Sequence, residues 1–187
     1  MRTINLASYS NQSIVYPVVW LGESDESLTV NAVLDQPGSS LKLLGIFFGT
    51  QHHLELHTNI VHRAPNTFSR TLIRGVLDGT ASANFEGKVI IEKGAKNADG
   101  DLKQHTILLS PKARATAIPS LEVLENEVRA GHGATVGKID EEQLFYIMSR
   151  GLSLSEAKRI IIQGFLGSLL QEFPKKETLA ITKALRL

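Results

Sequence analysis

From residue 3 to about 130, the pattern of apolar and polar residues is strand-like, alternating in short runs. "SLTVNAVL" puts Leu28, Val30, Ala32 and Leu34 on one side. "HLELHTNIV" does the same with Leu54, Leu56, Thr58 and Ile60, and "NFEGKVIIEK" with Phe85, Val89 and Ile91. A period of two over short runs predicts half-buried strands. They are expected near 15–20, 28–34, 41–48, 54–61, 70–77, 85–92, 104–109, 113–117 and 121–124. Turn signals separate them: "DQPGSS" at 35–40, "LDGT" at 77–80, "NADGD" at 97–101 and "SPKA" at 110–113. A run of strands with no helix between them points to an all-β body. A sandwich or barrel would use hairpin turns of the Asn-Gly type, and a solenoid would not. No Asn-Gly pair occurs. That leans toward the solenoid, while the pattern alone leaves both architectures open.

Past residue 139 the period lengthens. Asp140 is placed to cap a helix over Glu141 to Ser149, with Gln143 at the closing position of a capping box and Gly151 as the stop. Ser153 and Glu156 repeat the box for a second helix reaching about Gln171. Its apolar residues form two stripes, Ile161, Phe165 and Leu169 (with Ser168) on one and Ile160, Gly164 and Gly167 on another, so it must bury more than one face. Pro174 starts a third helix through Leu185. The expected division is a β body over 1–138 and a helical domain over 139–187.

Composition narrows the function classes. The chain has 187 residues and a net charge of +1, with acidic and basic residues interspersed. Neither a nucleic-acid groove nor a polybasic membrane patch is indicated. There are no cysteines, which removes disulfides, zinc knuckles and thiolate chemistry. The opening "MRTINLASYSNQSIVYPVVW" lacks the continuous apolar core of a signal peptide. No run approaches the roughly 20 apolar residues that span a bilayer. The expected location is the cytoplasm.

Candidate chemistry rests on histidines. His53, Glu55 and His57 point the same way on one predicted strand and could hold a divalent metal. The alternative is the solvated face of a strand whose Leu54 and Leu56 are buried, and same-face neighbours roughly 6–7 Å apart suit one ion poorly. His62, with Arg63 after it, sits ahead of a turn and reads as a hydrogen-bonding corner. His105 reads as a surface residue at the entry to an apolar strand. His132, in "RAGHGATVGK", stands between Gly131 and Gly133, which permit unusual backbone conformations and close approach. A turn and a ligand are both open readings of it. No Walker loop, nucleophile elbow or H-E-x-x-H is present, so no enzyme is expected.

Read in order, several segments resemble the core of the SufB/SufD family of iron–sulfur cluster assembly scaffold proteins over about residues 50 to 170. These are "RGVLDG", "FEGKV", "LLS", "IPSLEV", "HGATVG" with "ID" after it, and "LFYIMSRG". The resemblance implies a right-handed parallel β-helix followed by a small α-helical C-terminal domain. It implies a scaffold role rather than catalysis, pairing with a SufB-like paralogue or as a homodimer, and a SufC-like ABC ATPase as partner. The "HGATVG" form is SufD-like. SufB-like members carry acidic residues where Gly131 and Gly133 stand, and a cysteine that corresponds to His105. His132 falls on the position of a proposed cluster ligand or assembly residue at the subunit interface. The resemblance therefore implies His132 and His105 as the assembly interface, with His132 as a metal ligand. It implies Phe145, Tyr146, Arg150 and Ile161 as the ATPase-docking face.

The chain departs from the family in two ways. It is much shorter than usual members, as a minimal form or a fragment would be. It also lacks cysteine, and protein-bound clusters are normally held by thiolates. No tightly bound cofactor is expected, and a transient iron–sulfur cluster at a subunit interface is the form the resemblance allows. A self-associating β-helix module without cluster chemistry is the alternative, and a metal-dependent β-helix enzyme using His53, Glu55 and His57 is a third reading.

Overall fold

The computed structural model describes residues 2–7 and 11–185. Ten strands come first: β1 (Arg2–Ala7), β2 (Ser13–Trp20), β3 (Glu26–Leu34), β4 (Ser40–Gly49), β5 (His53–His62), β6 (Phe68–Leu77), β7 (Ser82–Ile91), β8 (Asp99–Leu108), β9 (Arg114–Val123) and β10 (Arg129–Lys138). They form two five-stranded sheets, ordered β1-β3-β5-β7-β9 and β10-β8-β6-β4-β2. Every paired neighbour is parallel and lies one coil away in the sequence. The chain therefore alternates between the sheets and climbs as a solenoid. This is the parallel β-helix, and not the sandwich.

Alternation within a strand sends every second residue inward, and the parallel register stacks these residues in columns. Leu28 pairs with Leu56 and Leu56 with Phe85. Across the interior, Leu43 pairs with Thr71 and Thr71 with Leu102. All six are buried. The inward residues expected for "SLTVNAVL", "HLELHTNIV" and "NFEGKVIIEK" are all buried. Packing across the interior also fixes glycine 75: a Cβ there would lie 1.9 Å from the Phe47 ring.

One corner of the coil repeats the same left-handed residue. Asn11, Gly38, Asn66 and Asn97 have φ of 54°, 73°, 58° and 58°. Asparagine and glycine tolerate this region better than other residues. The Asn97 side-chain amide donates to Asn66 Oδ1 at 3.2 Å, so consecutive corners are tied together.

The expected strands need one correction. The stretch expected as two strands at 113–117 and 121–124 is the single strand β9, with Pro119 inside it. Proline lacks the N–H of a ladder and suits a sheet edge, and β9 is the last strand of its sheet. β1 and β10 fall inside the β body expected over 1–138, although no separate strand was marked at either. Both also lie at sheet ends, where one side is unshielded and the apolar–polar contrast fades.

The helices are α1 (Glu141–Met148), α2 (Leu154–Leu170) and α3 (Lys175–Leu185). Ser153 and Glu156 form both halves of the capping box. Asp140 caps α1 differently from expectation: its carboxylate accepts from the Glu142 N–H, without a box to Gln143. Gly151 ends the segment at φ 90°.

Helices α2 and α3 cover the outer face of the β4–β6 region. Leu44, Ile46 and Val76 form a second core there with Leu166, Leu169, Leu170, Phe173 and Ile181. The buried stripe of α2 is thus Ala157, Leu166, Leu169 and Leu170, and of the two expected stripes only Leu169 belongs to it. Arg74 reaches from β6 to the Phe165 carbonyl and the Ser168 hydroxyl. Lys42 Nζ bonds Glu172 Oε2 at 2.9 Å. No described helix is long and apolar enough to cross a membrane.

Candidate functional site

The solenoid ends in an open mouth. β9 and β10 are the last strands of their sheets, each paired on one side only. Their inward positions mix small and larger residues: Ala115, Ala117 and Leu121 on β9, and Ala130, His132, Ala134 and Val136 on β10. Ile118 and Leu124 stay 53% and 58% exposed, and Val136 is exposed too.

His132 lies at this mouth. It pairs with Leu102, which continues the buried column of Leu43 and Thr71. A parallel ladder without a bulge keeps paired residues on the same face. His132 therefore sits on the inward face, yet it is exposed because no further strand covers it. Positions 131, 133, 135 and 137 fall on the outward face, and three of them are glycine. A Cβ at Gly133 or Gly137 would meet nothing within 4 Å.

His105 does not join His132. It pairs with Arg74 and Thr135 on the outward face, and its Nδ1 lies 2.7 Å from Thr135 Oγ1. Burial pushes the His105 pKa down, and the nearby Arg74 and Lys103 charges add to this. The two histidines occupy opposite faces of one sheet, so they do not form a single ligand set as the chain stands. The sequence contained this parity: Thr135, the partner of His105, is an odd number of residues from His132.

The chain passes from β10 through Ile139 and Asp140 straight into α1. No residue of α1 is buried. Phe145 and Tyr146 are 76% and 60% exposed, and Met148, Leu154 and Ile160 extend the apolar surface. Arg150 stacks on Tyr146, 5.1 Å from its ring centre, and donates to its hydroxyl at 3.1 Å. Ile161, on α2, is half-buried. Tyr146 and Arg150 thus sit together at the exposed end of α1, and Phe145, the residue before Tyr146, is exposed as well.

His62 is fully buried. Its Nδ1 and Nε2 lie 2.8 Å from Thr67 Oγ1 and 2.8 Å from Ser69 Oγ. Burial drives its pKa from 6.5 to about 4, so it is a neutral hydrogen-bonding corner, as its position before a turn suggested. Arg63, the next residue, turns outward and forks onto Glu92.

His53, Glu55 and His57 do share a face and touch. His53 Nε2 is 2.8 Å from Glu55 Oε1, and His57 Nε2 is 3.8 Å from Glu55 Oε2. Burial would raise the Glu55 carboxyl, but hydrogen bonds from His53 and Asn84, helped by the imidazole charges, hold it below its ordinary value. Sequence reading missed Ser82, Asn84 and Glu86, which flank these three from β7. They lie 29 residues ahead of their partners, and only the coil period relates them.

Comparison with known proteins follows the same lines. Residues 7–165 match the family model described as "SUF system FeS cluster assembly, SufBD core domain". The chain is 41% identical over 117 residues to an iron–sulfur cluster assembly protein SufD of Bacillus subtilis, covering 63% of this chain and 27% of that protein. It is 30% identical over 179 residues to an iron–sulfur cluster assembly SufBD family protein of Mycobacterium tuberculosis, covering 95% of this chain and 20% of that protein. A third relative, a SufBD family protein of Mycobacterium leprae, is 32% identical over 163 residues, 82% of this chain and 42% of that protein. The chain thus spans less than half the length of these curated relatives. With a matched solenoid core running through to α2, it belongs to the SufBD core-domain family of the SUF iron–sulfur cluster assembly system.

Proposed function

We propose that this chain serves as a SufD-like scaffold subunit in iron–sulfur cluster assembly, working in the cytoplasm and without catalytic turnover of its own. The observation that carries the reading is the uncapped last coil in a chain of this family. β9 and β10 offer free parallel edges, and an unpaired edge invites another chain. A SufB-like paralogue or a second copy pairs there, beside exposed Ile118, Leu124 and Val136. The SufC-like ABC ATPase docks on Phe145, Tyr146 and Arg150, with Ile161 at the margin. Closure of the ATPase pair then shears the scaffold pair and opens the interface near His132, a case of one partner binding two scaffold conformations unequally.

The cluster is cargo at that interface. This chain supplies imidazole and carboxylate only, so thiolates come from the partner.

Co-purification with the cognate ATPase and a cysteine-bearing paralogue tests the reading. The intact chain should capture the ATPase, and Phe145→Ala with Tyr146→Ala should abolish capture while leaving the melting temperature unchanged. His132→Ala should slow cluster maturation with folding intact. Failure of the intact chain to bind the ATPase counts against the docking assignment, and unaltered maturation in His132→Ala favours a structural module.

A further inference from the structure

The solenoid is open at both ends. β9 and β10 form the top and β1 and β2 the bottom, and among the described residues each is paired on one side only. The bottom is apolar. Ile4 and Leu6 on β1, and Ile14 and Tyr16 on β2, pair with the buried inward residues Val30, Ala32, Leu41 and Leu43. All four pack on the core while staying partly exposed, as Ala115, Ala117 and Leu121 do at the top. A second copy set end to end would continue both parallel sheets and cover an apolar end on each chain.

Proline occurs in two of the described strands, Pro17 in β2 and Pro119 in β9. One stands at each end of the solenoid and one in each sheet. Backbone hydrogen bonds fix the way each faces, because successive residues of a strand turn their N–H and C=O to opposite sides. The Arg114 N–H donates to the Ala81 carbonyl and the Leu124 N–H to the Ile91 carbonyl. Even-numbered residues of β9 therefore face β7, the register between them is unbroken, and Pro119 faces the open edge. On the other sheet, the Gln12 carbonyl accepts from the Ser40 N–H of β4. Even-numbered residues of β2 face β4 through an unbroken register, so Pro17 also faces the open edge. Each ring stands where an added strand needs a donor, near the middle of its own strand. The edge of β10 is different. The Arg129 N–H donates to the Ala98 carbonyl of the β8 side, so Ala130, His132, Ala134 and Val136 turn their backbone groups to the open edge, and none of them is proline.

We propose that the two ends of the solenoid fit one another in successive copies of this chain, and that Pro17 and Pro119 bar this end-to-end stacking. With the sheets in line, β9 of one copy meets β1 of the next and β10 meets β2, so each seam contains one proline. With the next copy turned by half a turn about the long axis, β9 meets β2, and that seam contains both. Neither arrangement escapes them. A proline ring removes a ladder hydrogen bond and fills the space of the incoming strand. A contact of β10 with β10 of a second copy does escape. It is two-fold and closes at two copies, whereas an end-to-end contact leaves a free end on each copy and grows into a filament. The prolines thus leave the chain an edge for pairing and deny it a route to propagation.

Pro17→Val with Pro119→Val in the 187-residue chain tests this by sedimentation and electron microscopy. The parent should sediment as one or two copies at every concentration. The double variant should rise in mass by about tenfold or more as concentration increases, as unbranched rods with the parent's circular dichroism. Pro111→Ala, in the corner between β8 and β9, should leave the mass unchanged. Adding Val15→Pro and Ala117→Pro to the double variant returns a ring to each open edge two residues away, and should restore the parent's mass. Rods formed by the parent, or a natively folded double variant of the parent's mass, would overturn the proposal. So would rods that persist after Val15→Pro and Ala117→Pro. Should the double variant lose the parent's spectrum, the single variants carry the test. Each frees one seam of the in-line arrangement and should show a smaller rise in mass, and an unchanged mass in both would overturn the proposal. The outcome is independent of the scaffold reading.

Discussion

The buried His62 ties stability to pH. In the folded chain its pKa is about 4, against 6.5 for the free side chain. The cause is first burial, which outweighs the opposing pull of the Asp99 charge and is reinforced by the Arg70 charge, while both ring nitrogens bond to hydroxyls. Between these two values the unfolded chain holds a proton that the folded chain does not. Stability therefore rises with pH across this window, and is lost as pH falls from about 7 toward 4. A tenfold change in proton affinity is about 1.4 kcal/mol, so the full linkage is about 3 kcal/mol, of which about 2 kcal/mol is lost by pH 5. Carboxylates such as Glu55 and Glu92, held below their ordinary values, act in the same direction at lower pH. A variant comparison isolates the histidine. His62→Gln keeps a hydrogen-bonding side chain that does not titrate. Urea unfolding of both proteins at pH 7.5, 6.5, 5.5 and 5.0 should show the parent losing about 2 kcal/mol relative to the variant. A gap between them that does not change with pH would refute the assignment of a buried, neutral imidazole.

Two further predictions concern packing and capping. Gly75→Ala places a methyl group 1.9 Å from the Phe47 ring and should cost about 1–3 kcal/mol in urea unfolding; Phe47→Leu in the same chain should recover part of it, and a fully stable single variant would contradict the packing. Ser153→Ala removes the hydroxyl that accepts from the Glu156 N–H and donates to Glu156 Oε2, leaving the bond from the Ser153 N–H to Glu156, and should cost about 1 kcal/mol, read by thermal unfolding, with an unchanged midpoint showing that the hydroxyl adds nothing to the folded chain.

Much of the solenoid was legible because burial leaves a period of two. It was clearest where both neighbouring coils shield a strand, as at Leu28 to Leu34. At the last coil the same rule runs without a visible signature. Gly131, Gly133 and Gly137 face outward while Ala130 and Ala134 face inward, so neither side of β10 looks apolar. Stacking between coils was hidden for another reason. A column such as Leu43, Thr71, Leu102 and His132 fixes position without fixing residue type, and corner lengths vary. Hence the partners of His53, Glu55 and His57 on β7 could not be found by spacing. The second core was hidden too. It draws Leu44, Ile46 and Val76 from the outward positions of strands whose inward positions are also apolar, which erases alternation at "LKLLGIFF".

The two faces of the last sheet also determine how the proposed partners communicate. Helices α2 and α3 are fastened to the solenoid by the second core, by Arg74 and by the Lys42–Glu172 pair. Helix α1 is not; it buries none of its own residues and is joined to β10 by Ile139 and Asp140. A load on Phe145 and Tyr146 therefore has two outlets: the loosely held turn through Gly151 into α2, and the short covalent path into β10. The second outlet is the more consequential. β10 is bonded to β8 alone, as each end strand is to one neighbour, so it resists displacement less than the strands paired on both sides. It carries His132 on its inward face, and any movement of the strand moves that imidazole relative to whatever caps the mouth. His105, on the outward face beside Arg74, belongs instead to the fastened part of the molecule. The separation of the two histidines thus places one on the strand that the proposed docking would move and the other on the frame against which it would move.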